Sequence, residues 1–123
     1  MKAQAYSAMV QKLFKATGFN EQSAPLLHAA VGVAGEAGEI LDCVKKVWAN
    51  GKLLDLDHLV EELGDIEFYL EAVRQAVGVS RDEVLSSNQI KLAKRYPDLR
   101  YSDSLAQLRL DKESTVGRDL LQS

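Results

Sequence analysis

The sequence predicts an all-α fold: an antiparallel helical bundle of four main helices plus a short C-terminal helix, completed by oligomerisation. Three observations predict it. Apolar residues recur at three- and four-residue steps along most of the chain. Only 2 prolines and 8 glycines occur in 123 residues, too few for a β fold with a turn every ten residues. Capping and breaking residues fall at the edges of the periodic stretches.

Tyr6, Met9, Val10, Leu13 and Phe14 share one helical stripe, which predicts a first helix over 3–16, ended by Gly18. Ser23 is a suitable N-cap and Pro25 suits a first turn, so a long second helix follows. It runs to about Ala49, where Asn50-Gly51 is a stop signal. Gly32, Gly35 and Gly38 lie inside it. Each costs about 1 kcal/mol relative to Ala, so close packing or a local kink is expected there. Asp55 or Asp57 caps a third helix that reaches Val77, with Gly78 as its terminator. Ser80-x-x-Glu83 is a capping box that opens a fourth helix over 81–95, and Pro97 breaks the chain after it. Ser102 caps a short fifth helix over 103–112. Residues 113–123 lack periodicity and read as a loose tail, so one domain is expected over 1–112.

Composition narrows the function. Hydrophobic residues make up 46% and charged residues 27%, the balance of an ordinary globular domain. A net charge of −3 argues against binding a nucleic acid polymer through an overall field. A single cysteine, Cys43, excludes an internal disulfide and a multi-cysteine metal site, and reads as a small core residue. The start of the chain is an amphipathic helix rather than a secretory leader, and no apolar run approaches a membrane span. A cytoplasmic location is expected.

Chemistry concentrates in two matching strings, Val33-Ala-Gly-Glu36-Ala-Gly-Glu39-Ile40 and Leu59-Val-Glu-Glu62-Leu-Gly-Asp65-Ile66. At about 100° per residue, the two acids of each string lie about 60° apart on one helix face. They border the apolar stripes of Val33, Ile40, Val44 and Val47, and of Leu59, Ile66, Leu70 and Val73. A short connection makes the two helices antiparallel neighbours. Counted from that connection, the acid pairs differ in level by about one turn, a gap long carboxylates span. Glu36, Glu39, Glu62 and Asp65 then converge at the edge of a core. Like charges there repel and resist desolvation, and a divalent cation resolves the conflict. All-oxygen ligands select a hard ion: Mg²⁺, with Mn²⁺ as a substitute. A di-iron bundle needs Glu-x-x-His pairs. Asp55-x-x-His58 comes closest, and Asp55 reads better as a cap.

The pair E-x-x-E and E-x-x-D, separated by 22 residues, resembles the signature of the all-α nucleoside triphosphate pyrophosphohydrolases, the MazG-like superfamily. The strings around Glu36 and Asp65, and Asn88-x-x-Lys91-Leu-x-x-Arg95-Tyr-Pro, look like the MazG-like branch. The stretch from Tyr101 to Lys112 is similar to the ends of phage and prophage members. The resemblance implies hydrolysis of a (deoxy)nucleoside triphosphate between its α- and β-phosphates, giving the monophosphate and pyrophosphate. It implies that Glu36, Glu39, Glu62 and Asp65 hold Mg²⁺, that Glu36 or Glu39 activates the attacking water, and that the chain works as a homodimer or homotetramer. A phage-encoded member would act in the host cytoplasm. Within the same superfamily stand dUTPases, dCTPases and phosphoribosyl-ATP pyrophosphatases. A non-catalytic helical dimer that binds metal structurally is the alternative from another class.

No P-loop occurs, so phosphate has to be met by metal and basic side chains. Asn88, Lys91 and Arg95 share one helix face and are candidates, as are Arg109 and Lys112. His28, about two turns before Glu36, is placed to touch base or sugar. Lys45 and Lys46 read as surface residues, and Trp48 and Tyr69 as packing residues.

Overall fold

The computed structural model describes residues 2–14 and 24–112. Every regular element among them is helical: α1 (Ala3–Leu13), α2 (Ala24–Asn50), α3 (Leu56–Val77), α4 (Arg81–Arg95), α5 (Asp103–Leu108) and a single 3₁₀ turn, Leu110–Lys112. No helix is long and apolar enough to cross a membrane among the described residues. The chain divides into two compact units, Met1–Gly78 and Val79–Ser123.

In the first unit, α2 and α3 form the hairpin and α1 packs on α3. The centre is built from Val10, Ala29 and Ala72, surrounded by Tyr6, Phe14, Phe68 and Val73. Two alanines at the centre let the helix backbones approach closely, and the aromatic rings fill the flanks. Gln75 ties α3 to α1 by donating to the Ser7 carbonyl (2.8 Å) and hydroxyl (3.2 Å). Gly32 has the close-packing role expected of it, since the Tyr69 ring occupies the space that a Cβ at position 32 would need. Gly35 and Gly38 have nothing within 4 Å of such a Cβ, and α2 runs through them without interruption.

Three details differ from the sequence reading. First, α1 stops at Leu13 rather than 16, because Phe14 turns extended (ψ 121°) and its ring stacks on His28 with centroids 4.9 Å apart. Gly18 and Ser23, the expected stop and cap, lie outside the described residues. Second, the acid pairs of α2 and α3 stand level, not a turn apart. Ala29 meets Ala72, Gly32 meets Tyr69 and Glu36 meets Asp65, so each step along α2 matches an equal step back along α3. This register carries the end of α2 past the first residue of α3. The chain then runs back beside it, with the Lys52 amide donating to the Lys46 carbonyl (3.4 Å). Third, the fifth helix ends at Leu108, because Arg109 takes a left-handed conformation (φ 51°) and the chain restarts as the 3₁₀ turn.

In the second unit, Ser80 caps α4 by accepting from the Glu83 amide (3.1 Å), and Ser102 caps α5 by accepting from the Leu105 amide (3.1 Å). The 3₁₀ turn is bound to the end of α4 through Arg95 and Asp111. The expected tail, 113–123, lies outside the described residues.

Candidate metal centre

Each acid owes its position to helix phase. Asp55 caps α3, accepting from the His58 amide at 3.1 Å, and so fixes the phase from which Glu62 and Asp65 follow. On α2, Glu36 sits between Gly32, pressed against Tyr69, and the half-buried Ile40. One oxygen each of Glu36, Glu62 and Asp65 lies within 4.8 Å of the others. Glu62 is buried, Glu36 half-buried and Asp65 exposed, so the group opens from the helix interface to water.

Charge is crowded there. Burial is the largest influence raising the Glu36 carboxyl above its ordinary range; a hydrogen bond with Glu62 and the charges of Asp65, Glu62 and Glu39 add to it. A carboxyl–carboxyl hydrogen bond needs a proton on one partner, so the crowding favours the protonated form of Glu36. A hard divalent ion relieves it without the proton. With metal–oxygen bonds of about 2.1 Å, opposite ligands of an octahedral Mg²⁺ stand about 4.2 Å apart. The three oxygens are already gathered to nearly that spread, and their chemistry suits Mg²⁺ or Mn²⁺.

Glu39 is exposed and outside the three-oxygen group, although its charge still reaches Glu36. His28 is half-buried, stacked on Phe14 and tilted against Tyr69 at 6.3 Å. In the second unit, Asn88 and Lys91 are exposed on α4. Arg95 instead grips Asp111 with two bonds, Nε to Oδ1 at 2.9 Å and Nη2 to Oδ2 at 3.1 Å. Arg109 Nε lies 3.9 Å from the same Oδ1, and Lys112 is exposed. Cys43 is buried, and burial pushes its thiol up, as fits a core residue and not a nucleophile. Trp48 is 85% exposed, on the part of α2 that overhangs α3.

The sequence reading passed over one neighbour of the acids. His58 Nε2 lies 3.1 Å from Glu62 Oε1, a contact available from the i, i+4 spacing. The sequence pattern pairs His58 only with Asp55, whose side chain is occupied as the helix cap.

The family model of the MazG nucleotide pyrophosphohydrolase domain matches residues 26–100, more than half of the chain. The chain belongs to that family. The matched span contains both acidic strings of the MazG domain and all of α4, and it stops before α5. No curated protein and no solved structure matches the chain.

Proposed function

We propose that this MazG-family chain is a Mg²⁺-dependent nucleoside triphosphate pyrophosphohydrolase. It cleaves a (deoxy)nucleoside triphosphate with water, between the α- and β-phosphates, into the monophosphate and pyrophosphate. The observation that carries the reading is the approach of Glu36, Glu62 and Asp65 to within 4.8 Å of one another.

In this reading those three carboxylates hold the cation, and Glu39 lies beside them. The bound ion supplies charge neutralisation on the phosphates and a lowered pKa for water. Glu39, exposed and outside the three-oxygen group, is positioned by phase to accept the proton of the attacking water; Glu36 is the other candidate for that role. Buried Glu62 anchors the ligand set at the helix interface. Phosphoryl transfer asks chiefly for positioning and electrostatic stabilisation, which such a site provides without a covalent step. Substrate recognition falls to His28 for base or sugar, and to Asn88, Lys91, Arg109 and Lys112 for phosphate. Arg95, engaged by Asp111, contributes to phosphate binding only if that ion pair opens. In this reading the chain works in the cytoplasm, where such nucleotides are held.

We also propose a homo-oligomer. Leu41, Val44 and Trp48 on α2, and Leu56, Val60 and Leu63 on α3, are all at least 46% exposed. They flank the half-buried Ile40, Leu59 and Ile66, so the apolar stripe of the hairpin continues onto open surface. A second copy covers such a surface with the same chemistry.

Product analysis tests the activity. Nucleoside triphosphates incubated with Mg²⁺ are expected to yield monophosphate and pyrophosphate in equal amounts by chromatography. Diphosphate with orthophosphate would assign cleavage to the wrong bond, and no turnover across canonical and modified nucleotides would leave a metal-binding helical module.

A further inference from the structure

We infer that His58 is a positioning residue for the cation site, holding the Glu62 carboxylate in its ligating rotamer by donating from Nε2 to Oε1. This rests on the reading of Glu36, Glu62 and Asp65 as cation ligands.

The geometry is specific. The distance is 3.1 Å, and the donor and acceptor stand one helical turn apart on α3. The histidine is itself held at its root, because its own amide donates to Asp55 Oδ1 at 3.1 Å. Glu62 has a side chain only 11% exposed, whereas that of His58 is 44% exposed, so the bond links a solvent-side ring to a carboxylate set into the helix interface. Glu62 needs such a partner. It stands within 4.8 Å of oxygens of Glu36 and Asp65, and carboxylates gathered so closely repel one another toward rotamers that spread them apart. The donor on Oε1 ties the carboxylate to its own helix, which opposes that spreading and lowers the number of rotamers the ion would have to select. Ligating carboxylates are commonly held this way by a hydrogen-bond donor behind them. His58 acts through Glu62 and not on the ion: it is outside the group of mutually close oxygens, and its Nε2 is taken up by the glutamate. The neutral imidazole with its proton on Nε2 can make this donation, so the role does not require the imidazolium.

The test uses the full-length chain and Mn²⁺ alone, without nucleotide, following free Mn²⁺ by electron paramagnetic resonance. His58→Leu removes the donor and is expected to weaken Mn²⁺ binding about 10- to 100-fold. His58→Gln places a carboxamide N–H at nearly the reach of Nε2 and is expected to restore most of that affinity, which a purely structural loss would not allow. Circular dichroism melts of the metal-free variants check that both fold. Parent-like binding by His58→Leu, or equal losses in both variants, overturns the role of His58 while leaving the carboxylate site standing. A parent chain that binds no Mn²⁺ overturns both, and Glu62→Gln serves as the control that locates the binding.

Discussion

Burial, a hydrogen bond to Glu62 and the charges of three neighbouring acids all favour the protonated form of Glu36. The ion-free fold therefore carries a cost at this residue that a neutral isostere removes. Glu36→Gln is expected to melt at a higher temperature than the parent without metal, and to lose at least about 100-fold in turnover, the upper range for groups that only support a ligand. Adding Mn²⁺ raises the melting temperature of whatever binds it in the folded state. The parent should gain from Mn²⁺ and the variant should gain little, so melts with and without the ion check both halves of the expectation. A variant that melts lower than the parent in the absence of metal would mean that Glu36 stabilises the apo fold. The candidacy of these acids was legible from spacing alone, because 60° on a helix face is fixed by helix geometry. The separation of Glu39 from the other three was not. It depends on which side of each acid the partner helix lies, and that is a property of the pair.

At the scale of elements, the bond between Arg95 and Asp111 joins the end of α4 to the 3₁₀ turn. Asp111 is almost wholly buried, with 1% of its side chain exposed, and it accepts two bonds from one guanidinium. The Arg95 hydrogen bonds are the main reason its carboxyl is lowered to about 2. An unfolded aspartate titrates near 4. As pH falls from about 4, the unfolded chain takes up this proton before the folded one does. The stabilisation is thus complete above about 4, declines below it, and is gone once pH drops through about 2. Asp111→Asn is expected to be less stable than the parent at neutral pH and to converge with it in strong acid, as read by urea unfolding across that range. A constant gap between the two proteins down to pH 1 would show that the asparagine disturbs packing and not a titrating pair.

Helix ends and helix pairings differed in how far sequence could specify them. Asp55, Gly78, Ser80 and Ser102 each act within three or four residues of themselves, so their roles were visible in the string. The level register of α2 and α3 lies in which residues meet, Gly32 against Tyr69 and Glu36 beside Asp65, a pairing between helices that no local signal states. The end of α5 at Arg109 is likewise set by a distant partner, since the backbone reverses there and brings Asp111 to an arginine 16 residues earlier. The charge and helix face of Arg95 are visible in the sequence; the acid that claims it, Asp111, lies outside that pattern.

For the whole molecule, the question is what lies over the apolar flank of the α2–α3 hairpin. An assembly of identical chains predicts that a 13.6 kDa species is not the dominant one at micromolar concentration in sedimentation velocity. A single sedimenting boundary at the monomer mass would reject the homo-oligomer. Overall class was readable early because helical periodicity persists along the chain, whereas assembly involves surfaces whose pairing leaves no periodic mark.

The overhang of α2 bears on that experiment in another way. It holds up Trp48, which is 85% exposed and the only tryptophan among 123 residues. Nothing else in the chain contributes indole fluorescence, so the emission reports the polarity around one known point. If copies associate through the hairpin flank, dilution should return that emission to the red as water reaches the ring again, with a midpoint that gives the association constant. If they associate elsewhere, the colour of the emission stays fixed while the mass changes. The native protein thus carries its own optical probe of which face is used, with no label attached.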